Sequence, residues 1–185
     1  MGAPGTFANG LAVAHKFLEE KVGFQPGSYT FDNGSGLNDV NRFTSRQMVR
    51  LLQYMEKDYE SATEYASSLS VAGTQGTIGF RMRDTPAQRR LRAKTGTLHG
   101  VSALSGYVVQ PDGDVVAFSV LAQGFKNGVH GVWKVQNAIG TALASGGQWH
   151  PDDDAAVGEE GEPVAEATTD TTAAKPSEMA PGGAP

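Results

Sequence analysis

One short segment of the chain combines residue types that could recognise an anion beside a reacting carbonyl group. It consists of Lys94, Thr95, Gly96 and Thr97. A lysine ammonium supplies positive charge, and a threonine hydroxyl can donate a hydrogen bond to the same carboxylate. A glycine leaves room for a substrate backbone, and the backbone N–H that follows it can face a developing oxyanion. The alternative interpretation is a surface strand that carries a solvated lysine and an ordinary glycine.

Three segments of the sequence carry a more specific signal. They are residues 94–107 (KTGTLHGVSALSGY), residues 32–37 (DNGSGL) with the helix start at 41–44, and residues 69–77 (LSVAGTQGT). In this order they resemble the serine D-alanyl-D-alanine carboxypeptidases. More narrowly, the chain resembles the low-molecular-mass class C penicillin-binding proteins, which also act as endopeptidases. The resemblance covers roughly residues 5–143.

The resemblance implies acyl transfer through a serine ester. In this family a Ser-x-x-Lys serine attacks the penultimate D-alanine carbonyl, and a Ser-x-Asn motif lines the opposite wall of the cleft. Carried onto this chain, Lys94 would be the catalytic residue that anchors the substrate electrostatically. Thr95 would bind the terminal carboxylate, Gly96 would give clearance, and the Thr97 amide would be an oxyanion donor. The implied partners are peptidoglycan stem peptides and, as inhibitors of the complete protein, β-lactam antibiotics, with no cofactor.

The sequence departs from the family pattern at the nucleophile. No serine is followed by lysine three residues later or by asparagine two residues later. We therefore expect a C-terminal part of the domain, and we expect that the chain by itself is not acylated. Two alternatives remain, namely a non-catalytic module that binds peptidoglycan peptides and a β-lactamase-related hydrolase. The substrate class implies a periplasmic or cell-envelope location, although no signal peptide is visible at the N-terminus.

Other residues with chemical potential receive simpler interpretations. Ser35 lies between two glycines, but no nucleophile elbow is evident around it, so we predict a structural turn. His99 is expected in a solvent-facing loop. His15, His130 and His150 lack the spacing of metal ligands, so we expect no metal site.

Composition limits the function classes and the domain organisation. The 185 residues carry 15 basic and 20 acidic side chains, and 9 of the acidic residues lie in 150–185. We predict that 1–149 forms the family domain and that 150–185 is a disordered acidic tail. The weak positive charge of 1–149 argues against a nucleic-acid partner. No run of residues is apolar and long enough for a membrane span, and the absence of cysteine excludes disulfides and thiol nucleophiles.

Hydrophobic periodicity predicts the elements that position the segment. Helices are expected before Gly23, after the Thr44–Gln47 capping box, near residues 60–69 and over 131–144. The last helix is expected to bury its large apolar residues, which are Val132, Val135, Ala138, Ile139 and Leu143. Residues 91–95, 103–110 and 115–122 are predicted as strands, with a turn at 111–114. The fold class is therefore α+β, an antiparallel sheet with flanking helices, and the resemblance implies a partial β-lactamase/transpeptidase-like domain.

Overall fold

A computed structural model of the protein describes residues 5–37 and 40–147. The described part holds one antiparallel sheet in the order β1-β2-β3-β4, with helices on both faces, as the sequence predicts. The predicted tail at 150–185 lies outside the described residues. The helices are α1 (Phe7–Phe17), α2 (Ser45–Lys57), α3 (Ala62–Ser68) and α4 (His130–Ala144), and the strands are β1 (Ser70–Val71), β2 (Leu91–Leu98), β3 (Val101–Val109) and β4 (Val115–Gln123). No described helix is long and apolar enough to cross a membrane.

The register of the three long strands gives the sheet two different faces. Residues directly opposite each other in antiparallel strands share a face. Leu104 of β3 therefore shares the α4 face with Thr95, whereas Tyr107 shares the α2 face with Arg92. Buried apolar residues form a core on the α4 face, and they include Ile78, Met82, Leu91, Ala93, Leu104, Val108, Phe118 and Ala144. On the α2 face, Tyr107 packs with Leu52 and Leu69.

Local signals at helix ends explain where the first two helices begin and end. Gly23 adopts φ +79°, a left-handed conformation that favours glycine, and it closes the π-helical turn Leu18–Val22 that extends α1. Thr44 and Gln47 form the predicted capping box, in which each side chain accepts a hydrogen bond from the other residue's backbone N–H. Aromatic rings, among them Phe24 and Phe43, pack between the two helices.

The buried face of α4 differs from the predicted one. Ala138 is buried as expected, but the other four apolar residues named for this face are only half-buried. Gln136, Asn137 and Gly140 are buried instead. Their burial has two causes. The amides bind the buried Arg81. A Cβ at Gly140 would lie 2.7 Å from Leu91 Cδ1, so a larger residue there would have to displace the Leu91 side chain.

Candidate functional site

The segment from Lys94 to Thr97 lies on an open edge of the sheet. Strand β1 pairs with β2 only at Arg92 and Ala93, so within the described residues β2 has no strand neighbour on this side beyond Ala93. The Leu91 carbonyl accepts from Ala72 on the β1 side. Because backbone groups alternate along a strand, the N–H and C=O of Thr95 and Thr97 face the same side. Within the described residues these peptide groups therefore lie along the open edge.

Lys94 is exposed on the α2 face of the sheet. In the register it lies opposite Ser105, which in turn pairs with Ser119, and the two serine hydroxyls are 2.9 Å apart. Its ammonium donates to the Thr95 carbonyl over 2.5 Å, which holds the charge beside the open edge. A carboxylate at this edge would meet a positive charge.

Thr95 is half-buried, and its side chain leaves the strand on the face opposite to Lys94. Its hydroxyl donates to the Thr77 hydroxyl over 2.9 Å, at the edge of the sheet. Thr77 belongs to the 3-10 turn Gly76–Ile78. One ligand can contact both Lys94 and Thr95 only if it lies across the strand edge.

Gly96 is exposed on the same face as Lys94. A Cβ atom at this position would lie 3.4 Å from the Ala103 Cβ and would meet no backbone within 4 Å. The described fold therefore tolerates a small side chain here. The absence of a side chain at Gly96 therefore serves to leave space on the surface of the strand, where a ligand could lie.

A cavity of about 300 Å³ lies beside the end of β2. Ala103 and Leu121, the cross-strand neighbours of Gly96, belong to its lining. The remaining lining residues are Gly36, Asn41, Arg42, Phe43, Met48, Leu98, Val101, Ser102, Ala122 and Gln123. This largely apolar cavity lies over the ends of β3 and β4, and of the residues of β2 only Leu98 lines it.

The other candidate residues have local surroundings of their own. Ser35 is exposed, and both its N–H and its hydroxyl donate to Asn33 Oδ1, which makes it the predicted structural turn. His99 is exposed in the turn between β2 and β3. His15 hydrogen-bonds Tyr29 and Phe31 within the aromatic cluster. Among the described residues, no three His, Asp or Glu side chains converge as metal ligands do.

Sequence reasoning missed a buried polar network behind the segment. Arg81 is 1% exposed, and its guanidinium donates to Asn137 Oδ1 over 2.8 Å and to Gln136 Oε1 over 3.0 Å. Gln136 also donates to the Ser102 hydroxyl, and Ser102 is the cross-strand partner of Thr97. The available signal was the polar pair Gln136 and Asn137, which interrupts the apolar face predicted for α4.

Comparison with known proteins identifies the family. The family model of the D-Ala-D-Ala carboxypeptidase 3 (S13) family matches residues 1–144. The chain belongs to this family. This confirms the resemblance found in the sequence, and the part of the S13 domain that is described contains the strand of Lys94 to Thr97.

Curated relatives agree with the family assignment. The chain is 37% identical over 145 residues to a D-alanyl-D-alanine carboxypeptidase from Actinomadura sp., covering 76% of this chain and 26% of the relative. It is 32% identical over 127 residues to the D-alanyl-D-alanine carboxypeptidase DacB from Haemophilus influenzae, covering 68% of this chain and 26% of the relative. The chain thus spans about a quarter of the length of these S13 relatives.

A solved structure supports the fold prediction. The crystal structure of penicillin-binding protein 4 from Haemophilus influenzae, complexed with a novel β-lactam, matches with a TM-score of 0.66 and 25% identity. The match covers 77% of this chain and 34% of that chain. The described sheet and helices are therefore part of a transpeptidase/β-lactamase-like, D-Ala-D-Ala carboxypeptidase-related domain.

Proposed function

We propose that this chain forms one wall of the active-site cleft of a serine D-Ala-D-Ala carboxypeptidase/endopeptidase. Its substrates would be peptidoglycan stem peptides in the periplasm or cell envelope, and residues 1–149 would be the part of the domain that it contributes. The observation that carries this proposal is the open edge of β2 at Lys94 to Thr97, in a chain of the S13 family. The attacking serine would come from polypeptide outside the 185 residues.

Each group on the edge would have one task in acyl transfer. Lys94 would attract the free carboxylate of the peptide, and the Thr95 hydroxyl would donate to it. The Thr97 N–H would donate to the carbonyl oxygen as it gains negative charge under attack by the serine. As the bond between the carbonyl carbon and the terminal D-alanine nitrogen breaks, that nitrogen takes up the proton that the serine gave up, and free D-alanine leaves. Water then attacks the serine ester, which releases the acyl group as a carboxylic acid and returns the proton to the serine.

β-Lactam antibiotics would bind at the same edge. They present a carbonyl group close to a carboxylate, which is the pair of groups that Thr97 and Lys94 would recognise in the proposed function. The related penicillin-binding protein 4 was solved with a β-lactam bound. A β-lactam is therefore a suitable probe for this site.

A second candidate function is a binding module without catalysis. It is favoured by the absence of Ser-x-x-Lys and Ser-x-Asn from the 185 residues. Both candidates use the same edge to bind the peptide. They differ in whether a serine from other polypeptide completes the cleft.

Labelling with penicillin tests the proposal on the chain itself. A fluorescent penicillin is incubated with the 185-residue protein, which is then run on a denaturing gel, and saturation-transfer NMR with benzylpenicillin reports reversible binding. We expect no covalent label and a saturation-transfer signal that Lys94→Ala removes. A covalent label would contradict the absence of a nucleophile, and equal signals in wild type and Lys94→Ala would contradict the binding edge. Arg92→Ala, an exposed cation on the same strand face, is the matched control and should keep the signal.

A further inference from the structure

Three hydroxyl groups form a continuous chain at the edge of β2. The Thr95 hydroxyl donates to Thr77 Oγ1 over 2.9 Å, and Thr77 Oγ1 lies 3.3 Å from Ser70 Oγ. The Thr77 backbone N–H also donates to Ser70 Oγ, over 3.1 Å. The function proposed above uses only the first of these hydroxyls.

The turn that carries Thr77 is built for close contact with Ser70. Gly76 has φ +72°, and a Cβ atom there would lie 2.3 Å from Ser70 Oγ. Both the backbone conformation and the available space therefore require glycine at this position. The Gly73 N–H donates to the Ile78 carbonyl, which closes the turn against β1. Thr77 is thus held at a fixed place beside the strand.

The buried Arg81 anchors the same turn to α4. Its backbone N–H donates to the Ile78 carbonyl over 3.1 Å, and its guanidinium binds Gln136 and Asn137 of the helix. Arg81 also lies over the Trp133 ring, 5.4 Å from the ring centroid. The turn that carries Thr77 is therefore hydrogen-bonded to a buried residue, although Thr77 itself is exposed.

We propose that Thr77 is a positioning residue that orients the Thr95 hydroxyl toward the substrate carboxylate. A hydroxyl has one proton to donate and two lone pairs that accept. When a carboxylate arrives, Thr95 turns its proton to that anion, and the Thr95–Thr77 hydrogen bond reverses so that Thr77 donates to Thr95 Oγ1. Ser70 then donates to Thr77, and aligned hydroxyls in such a chain strengthen one another. This inference rests on the proposed function of Thr95.

The Thr77→Val variant tests the role directly, because valine keeps the shape and removes the hydroxyl. Its control is Thr74→Val, an exposed threonine of the neighbouring turn whose hydroxyl donates to Val71 O and, among the described residues, to nothing in the Thr95–Thr77–Ser70 chain. NMR titrations of the 185-residue chain compare N-acetyl-D-alanyl-D-alanine with its C-terminal amide. We expect Thr77→Val to weaken binding of the free acid about fivefold, as for one lost hydrogen bond, and to leave amide binding unchanged. Thr77→Ser should restore the wild-type ratio of free-acid affinity to amide affinity.

A second readout needs no ligand. Three-bond couplings across the Thr95 Cα–Cβ bond report its rotamer, which should be single in wild type and in Thr74→Val and averaged in Thr77→Val. An unchanged rotamer in Thr77→Val would overturn the proposal whether or not the peptide binds. Equal weakening of the acid and the amide would also overturn it, since that pattern indicates a general structural effect. If wild type binds neither ligand, the proposed function fails while the rotamer still decides the role of Thr77.

Discussion

At the scale of single residues, the geometry of a strand decides what the candidate site can bind. Lys94 and Thr95 are neighbours in sequence, yet their side chains leave β2 on opposite faces. The Lys94 ammonium and the Thr95 hydroxyl both reach the open edge, where they contact the Thr95 carbonyl and Thr77 respectively. In the proposed function, a carboxylate placed across that edge would contact both groups.

Tyr107 supplies a prediction about pH that is independent of the site. Burial raises the pKa of Tyr107 above its usual value of 10.0, and Tyr65 and Glu56 nearby raise it further. The folded state therefore holds the phenol proton more tightly than the unfolded chain. The stability that this gives is fully present below about pH 10 and is lost as the pH rises further.

We predict that Tyr107→Phe reduces the loss of stability above pH 10. At neutral pH the variant should be less stable by about 1 kcal/mol, because it loses the hydrogen bond from the phenol to the Leu52 carbonyl. Urea denaturation at pH 7 to 11 measures both effects. Tyr59→Phe is the matched control, since Tyr59 is 99% exposed and should change neither. If the free energy of unfolding of Tyr107→Phe falls above pH 10 as steeply as that of wild type, this phenol does not cause the loss of stability.

At the scale of elements, signals that lie within a few residues of one another were predictable. The capping box of Thr44 and Gln47 and the left-handed Gly23 fixed two helix ends, and the turn at 111–114 joined two strands as expected. Of the network around Arg81, only the polar pair Gln136 and Asn137 on α4 was visible in the sequence, because Arg81 lies more than 50 residues away from both. A buried guanidinium is recognised only once the fold brings those amides to it.

The close contact of β2 with β3 gives a sharp test of the element that carries the site. A Cβ atom at Gly106 would lie 2.0 Å from the Arg92 carbonyl oxygen and 2.6 Å from the Ala93 Cα. Since both are backbone atoms, an alanine would push the two strands apart. We predict that Gly106→Ala lowers the free energy of unfolding by about 3 kcal/mol or more.

The control for this substitution is Gly10→Ala in α1. A Cβ at Gly10 would meet nothing within 4 Å. Alanine there should raise the free energy of unfolding by about 0.5–1 kcal/mol, because it favours the helical backbone. Urea denaturation of both variants gives the comparison. If Gly106→Ala and Gly10→Ala have similar free energies of unfolding, β2 and β3 are not as closely packed as the structure shows.

At the scale of the whole molecule, several large apolar side chains of the described residues are exposed to solvent. On α1, Phe7 is 66% exposed and Val13 is 70% exposed, and Leu37 near the cavity is 79% exposed. In the proposed function, the remaining part of the domain would cover such surfaces. We therefore expect the chain alone to associate with itself.

Replacing the two exposed large apolar residues of α1, Phe7 and Val13, by serine tests this expectation. We predict that the Phe7→Ser and Val13→Ser double variant associates less than wild type in sedimentation velocity. Its free energy of unfolding should stay within about 0.5 kcal/mol of wild type, since neither side chain is buried. Leu52→Ala, at a position that is 4% exposed, should instead lose about 2–5 kcal/mol. Unchanged association in the double variant would show that α1 is not the associating surface.

The assignment of Lys94 to Thr97 as site residues stays a prediction, and the sequence indicated only part of the surroundings that the structure gives them. The sequence pattern indicated Lys94 to Thr97 because charge, hydroxyl and glycine stand at the end of a strand. It did not indicate the open edge, since that depends on β1 being only two residues long. It also did not indicate that Thr77 contacts Thr95, because the two threonines meet only through the turn that Arg81 holds.

The central claim is that the edge at Lys94 to Thr97 binds the free carboxylate end of a D-amino-acid peptide. Amide NMR spectra of the 185-residue chain, recorded with increasing N-acetyl-D-alanyl-D-alanine, test it most directly. We predict saturable shifts at the Thr95 and Thr97 amides that are absent with N-acetyl-L-alanyl-L-alanine and at least tenfold weaker in Lys94→Ala. Shifts that are equal for both peptides, or that leave Thr95 and Thr97 unmoved, would contradict the claim.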